Sequence, residues 1–209
     1  MFSFLLAGDR SEVSEKRTYA IPIEKIVNDL SSFSTVVLLS NDKKLEQLER
    51  SYKNLIFQLV PNQTPGALIT AAYGLSKVGH DQPFLIVPSN SILSDNLIES
   101  FSSSMTSKAA EAGTIVFQGV NPLYSYARLG KMNNVIEFIE KEVDGSCALA
   151  GVHYFKDKIS FENCLRWALV NNVRVKGNFF ISSALNYFLA NALELELFSV
   201  SAEDYIRFD

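Results

Sequence analysis

The chain has 209 residues, 47% of them apolar and 20% charged, proportions that suit a globular protein with a buried core. Nineteen basic against 23 acidic side chains leave a net charge of −4, which argues against a nucleic-acid or anionic-membrane surface. No apolar run approaches the ~20 residues that span a bilayer, the start at Met1–Asp9 lacks the basic segment of a signal peptide, and two cysteines and two histidines make neither a disulfide framework nor a histidine metal cluster. The expectation is one cytoplasmic domain over residues 1–209.

Phe2–Leu6 reads as a buried strand ending at Ala7-Gly8, before a polar loop from Asp9 to Tyr19. Ile23, Ile26, Val27, Leu30 and Phe33 recur at three- and four-residue spacing, so 22–33 is predicted helical with Pro22 in its first turn. Thr35–Leu39 is a β-branched strand, and Asn41-Asp42 caps a helix whose face is Leu45, Leu48 and Tyr52. Leu55–Val60 is the next strand and Pro61–Pro65 a turn-rich loop. Gly66–Val78 is predicted helical through Leu68, Ile69, Ala72 and Leu75, stopped at Gly79, and Phe84–Val87 is a further strand. Strand and helix alternate throughout, which predicts an α/β, Rossmann-like three-layer sandwich with a mostly parallel sheet. Such sheets bind ligands beyond the carboxyl ends of their strands, here the loops Ala7–Tyr19, Pro61–Gly66 and Pro88–Asp95.

The second half makes the sheet mixed. Tyr124–Leu129 and Val135–Glu140 alternate around a turn at Gly130–Asn134 and read as a hairpin. Ala148–Phe155 is a strand, and Phe161, Cys164, Leu165 and Ala168 mark a helix, as do Phe180, Ile181, Ala184, Leu185 and Phe188. Leu193–Val200 alternates again, and Ser201–Asp209 shows no closing element.

Three stretches in this order resemble the sugar-1-phosphate nucleotidyltransferases, or sugar-nucleotide pyrophosphorylases. They are Thr64-Pro65-Gly66-Ala67 with Pro83–Ile92, then Val135-Ile136-Glu137-Phe138-Ile139-Glu140-Lys141 against V-x-E-F-x-E-K-P, and Ala148–Phe155 against N-A-G-I-Y-x-F. The resemblance implies the nucleotide-diphospho-sugar transferase fold and joining of a sugar 1-phosphate to a nucleoside monophosphate with release of pyrophosphate, for polysaccharide or envelope building blocks. It implies nucleotide contacts from Ala7, Gly8, Thr64, Gly66 and Ser89, sugar-phosphate contacts from Glu140, Lys141 and Gly151, and Mg²⁺ as cofactor. The partners it implies are a nucleotide or sugar phosphate, with a homo-oligomer left open.

The departures from the family are concentrated where phosphate is handled. The family's glycine-rich loop is replaced after Ala7-Gly8 by Asp9-Arg10-Ser11-Glu12-Val13, and its P-K-P by Pro22-Ile23-Glu24-Lys25. Asn90 stands where the family has a Mg²⁺-binding aspartate, and Tyr205-Ile206-Arg207 where a late W-I-D-x-G-T-P supplies the second ligand. Asn keeps an oxygen donor but loses the charge that Mg²⁺ favours. Arg10 and Lys25, from a basic cluster with Lys16 and Arg17, are either catalytic cations that hold a phosphate tail in place of the lost loop or, with Glu12, Glu15 and Glu24 interleaved, part of an ordinary mixed-charge surface. Glu140-Lys141 is either that sugar-phosphate pair or a solvated strand end, and Gly151 either a ligand contact or a bulge. An alternative function is a catalytically inactive regulatory or partner domain that binds the same ligands.

Overall fold

The computed structural model describes residues 1–7, 23–94, 96–145 and 147–207. Its first half holds β1 (Phe2–Leu6), α1 (Ile23–Ser31), β2 (Thr35–Ser40), β3 (Leu55–Leu59), α2 (Ala67–Ala72), β4 (Phe84–Pro88) and β5 (Ser91–Leu93). Then come α3 (Leu97–Ser107), β6 (Ala112–Gln118), β7 (Ser125–Leu129), β8 (Val135–Glu140) and β9 (Cys147–Phe155). The chain continues through α4 (Lys158–Val170), α5 (Ile181–Ala184), α6 (Asn186–Ala190), β10 (Leu195–Val200) and β11 (Tyr205–Arg207).

The main sheet runs β10-β6-β9-β4-β1-β2-β3, with β7 pairing both β8 and β9. Along that path only β9 is reversed, antiparallel to both β4 and β6, while β1, β2, β3 and β4 are mutually parallel and β10 is parallel to β6. A second ribbon pairs β11 antiparallel with β5. Two cores lie on opposite faces of the sheet. Phe4, Val37, Leu39, Phe84 and Ile86 meet Leu68 and Ala71 of α2, Phe161 and Cys164 of α4, and Phe188 of α6. The alternate residues Leu5, Val36, Leu38, Leu85 and Val87 meet Ile23, Ile26, Val27 and Leu30 of α1 and Phe101 and Met105 of α3. A strand buried on both faces must be apolar at every position, which is why these strands read as continuous runs. This is the predicted three-layer α/β sandwich. No helix among the described residues is long and apolar enough to cross a membrane.

Several local expectations need correction. The predicted helix at 66–78 ends at Ala72 and resumes as a 3-10 turn at Leu75–Lys77. The second predicted helix is a 3-10 helix over Lys43–Arg50, capped as expected by Asp42, whose side chain accepts from Lys44 N at 2.9 Å. The predicted loop Pro88–Asp95 contains β5, and the tail without a closing element contains β11, so each three-residue strand is the other's partner.

Candidate functional site

The sheet opens where β9 parts from β4. Their ladder runs from Phe84↔Phe155 to Ile86↔His153 and stops. On the other side, β9 slips against β6 between Thr114↔His153 and Val116↔Leu149, so Ala150, Gly151 and Val152 fall outside both ladders. Gly151 has φ +78°, and a β-carbon there would come within 3.2 Å of Pro88 Cγ at the end of β4. Both facts favour glycine, and the bulge is the reason. Beneath it lies a cavity of about 260 Å³, floored by Leu6, Pro88, Leu149, Ala150, Gly151 and His153.

Its walls come from distant parts of the chain. Glu140 ends β8 at 8% exposure, and its Oε2 accepts hydrogen bonds from Ser125 and from Ser182 of α5. The next residue, Lys141, has φ +56°, an unusual conformation for a side chain of this size. The turn sends its Nζ over the Phe180 ring, 4.5 Å from the centroid, while its N–H donates to Tyr124 O at 3.2 Å. Arg207 of β11, also in the lining, donates from Nη1 to Leu123 O at 2.9 Å, with its guanidinium 5.8 Å from the Tyr124 ring centroid. The β5–β11 register sets Arg207 against Ser91, next in sequence to Asn90, which also lines the cavity.

His153 is 4% exposed, and its Nδ1 lies 3.0 Å from Thr114 Oγ1, whose hydroxyl also reaches Val152 O at 3.2 Å. Burial among apolar neighbours pushes its pKa down to about 3. At neutral pH it presents an uncharged imidazole to the cavity floor.

Of the residues expected at the site, Asn90, Glu140, Lys141 and Gly151 line this one cavity. Ala7 and Ser89 do not line it; each is next in sequence to lining residues, Leu6 for Ala7 and Pro88 and Asn90 for Ser89, and their amides are spent on the sheet, Ala7 N to Leu39 O and Ser89 N to Leu6 O, each at 3.1 Å. Gly66 adjoins the lining residue Ala67, but a β-carbon on it would come within 2.3 Å of Phe179 O. Its φ of +103° and that close approach give it a packing reason to be glycine. Thr64 Oγ1 pairs with Thr70 Oγ1 at 2.5 Å and so staples the loop before α2. Lys25 stands apart: it lines a separate groove between α1 and β5 and pairs with Asp29 at 3.5 Å. Gly8 and Arg10 lie outside the described residues, as do Asp9, Asp95 and Asp209. Asp204 is committed to Ser94, whose hydroxyl donates to Oδ1 at 2.8 Å.

Sequence reading missed Ser125, Ser182, Phe180 and Arg207. Phe180 and Ser182 sit in a segment whose periodicity signals core packing, and Arg207 reaches the site only through pairing of two three-residue strands. The donor set bears on Mg²⁺, which favours several hard anionic oxygens. Among the described lining residues the one carboxylate is Glu140, with one oxygen taken by two seryl hydroxyls, and it stands with Lys141 and Arg207. Among the described residues no group of three or more His, Cys, Asp and Glu gathers. That set does not fit a divalent cation.

No family model matches the chain, and no curated protein matches it. Solved structures do. A nucleoside-diphosphate-sugar pyrophosphorylase from Vibrio cholerae RC9 superposes with a TM-score of 0.80 at 15% identity, over 100% of this chain and 95% of that one. A Bacillus anthracis protein assigned as a glucose-1-phosphate thymidylyltransferase, in complex with sucrose, superposes with a TM-score of 0.75 at 17% identity, over 96% and 87%. The chain therefore has the nucleotide-diphospho-sugar transferase type of fold.

Proposed function

We propose that the rim cavity binds a phosphorylated sugar or a nucleoside-diphosphate sugar, as a nucleotidyltransferase-like domain of sugar-nucleotide metabolism. The observation that carries this is the Glu140–Lys141 step: one strand end delivers a buried carboxylate and an ammonium to the same cavity. A carboxylate held by seryl donors is a ready acceptor for sugar hydroxyls, and an ammonium beside it meets a phosphate. The neutral His153 adds an uncharged polar contact on the floor. In the transfer reading, an oxygen of a sugar 1-phosphate attacks the α-phosphorus of a nucleoside triphosphate, the bond to the bridging oxygen of the β-phosphate breaks, and pyrophosphate leaves.

The donor set favours a second reading, a domain that binds these ligands without turnover as a regulatory or partner subunit, because the described lining offers a single carboxylate toward the Mg²⁺ that bridges the phosphates in such transfers. Two measurements separate the readings. A ligand of this class at about 100 times its Kd raises stability by about 2.7 kcal/mol, seen as a shift in thermal unfolding. Pyrophosphate release from a panel of triphosphates and sugar 1-phosphates supports transfer, and stabilisation with release at background supports binding alone. No stabilisation by any sugar phosphate or nucleotide sugar sinks both.

A further inference from the structure

A single hydroxyl hydrogen decides which nitrogen of His153 is bare. Thr114 Oγ1 lies 3.2 Å from Val152 O and 3.0 Å from His153 Nδ1. A carbonyl only accepts, so the first bond uses the Thr114 hydroxyl hydrogen, and the second must take its hydrogen from the ring. With the ring hydrogen on Nδ1 both bonds form. With it on Nε2, the hydroxyl has to abandon Val152 O to reach Nδ1, and one bond is lost. The ring is uncharged at neutral pH, so a hydrogen on Nδ1 leaves Nε2 a lone-pair acceptor.

That lone pair opens on the cavity. Val152 and Tyr154, on either side of His153, belong to the α1–α3 core, while its ladder partner Ile86 belongs to the opposite one. Alternation along β9 therefore turns the imidazole to the face that carries Leu6, Ala67, Leu149 and Ile181, all of which line the cavity. Among the described residues His153 has a side-chain hydrogen bond at Nδ1 alone, and none of their sealed side-chain nitrogens or oxygens lacks a partner. Nε2 is thus not sealed: it is the unpartnered end of a side chain that is otherwise buried, and the cavity it lines is its way out.

Resting on the ligand class proposed above, we propose that His153 is a specificity residue whose Nε2 accepts a hydrogen bond from one hydroxyl of the bound sugar. A bare nitrogen lone pair meets a hydroxyl and has nothing to offer an ionised phosphate oxygen or an ether oxygen. The floor therefore takes the sugar and turns the phosphate away, and it rejects a sugar that lacks the matching hydroxyl, because the lone pair is then covered and left unpaired. Thr114 acts through the ring, as the positioning residue that holds the hydrogen on Nδ1.

The test is nitrogen NMR of the full chain carrying isotope-labelled histidine, with and without glucose 1-phosphate, beside calorimetric titration. The chain has two histidines, and the other, His80, is exposed, so His80→Gln assigns the spectrum. In the ligand-free protein at neutral pH, Nδ1 of His153 gives the signal of a protonated nitrogen and Nε2 that of a bare one. Saturating glucose 1-phosphate moves the Nε2 signal toward the protonated range and leaves Nδ1 in place. Among singly deoxygenated analogues of glucose 1-phosphate, one binds the parent about tenfold more weakly, the loss expected for an acceptor left unpaired, and fails to move Nε2. His153→Phe binds that analogue and glucose 1-phosphate alike, within about twofold. Should His153→Phe fail to fold, the Nε2 signal of the parent with each analogue carries the same comparison. A hydrogen on Nε2 in the ligand-free protein, an Nε2 signal unmoved by glucose 1-phosphate that does bind, or analogues that lose equally on parent and variant overturn the inference and leave the ligand class standing. Absence of binding by glucose 1-phosphate and all its analogues overturns the ligand class and the inference with it.

Discussion

His153 links the floor of the cavity to the stability of the fold. Burial holds its pKa at about 3 against the ordinary 6.5, so between those values the unfolded chain takes up a proton that the folded chain refuses. The unfolded state binds more protons there, and stability rises with pH; it is lost as pH falls from 6.5 toward 3, at up to about 1.4 kcal/mol per pH unit. His153→Gln removes this contribution while keeping a polar side chain. In urea unfolding, the parent's stability relative to the variant should fall by about 2 kcal/mol between pH ~6.5 and ~4.5. A difference that stays flat with pH refutes the assignment. At this scale the sequence was partly legible. Glu140, Lys141, Asn90 and Gly151 stand out as motif positions and do share a cavity; Arg207 falls where the family's late motif stands but without its carboxylate, and Ser182 carries no motif and meets the site only in three dimensions.

Elements with whole-run signals were readable from the chain, and those without were not. β1, β2 and β4 announce themselves because both faces are buried. In α3, serines dilute the apolar stripe of Phe101 and Met105, and the sequence reading assigns nothing there. The broken helix after Gly66 shows packing overruling periodicity: a β-carbon at Gly74 would lie 2.9 Å from the Phe4 ring, itself fully buried and 4.9 Å from the Phe84 ring. Helix propensity alone says that Gly74→Ala stabilises by up to about 1 kcal/mol. Overpacking against a ring with no room to move says the reverse, a loss of about 1–3 kcal/mol in denaturant unfolding. The second outcome is expected, and a gain in stability would show that Phe4 yields.

For the molecule as a whole, the main sheet is complete without the β5–β11 ribbon, which adds Leu93 and Tyr205 to the edge of one core, while the cavity is not. Among the described residues β11 pairs with β5 alone, and its main apolar contact is Tyr205, 4.4 Å from the Phe117 ring. Removing residues 202–209 should therefore cost about 2 kcal/mol, the burial of one large ring, and leave a folded protein by circular dichroism. Binding of glucose 1-phosphate should be lost at the same time, because Tyr205 and Arg207 go with the ribbon. Retained binding after truncation would move the ligand elsewhere. The layered architecture could be read from the alternation of strands and helices, but the closing ribbon could not, since three residues are too few to show a period.

The slip in β9 has a practical outcome for anyone dissecting this protein. Ala150 and Gly151 line the cavity while standing outside both neighbouring ladders, so part of the lining is main chain. Exchanging side chains leaves those amides in place, and a conventional alanine scan would pass over them. Replacing single peptide links by esters at 150–152, through chemical ligation, would reveal whether the backbone itself does some of the gripping.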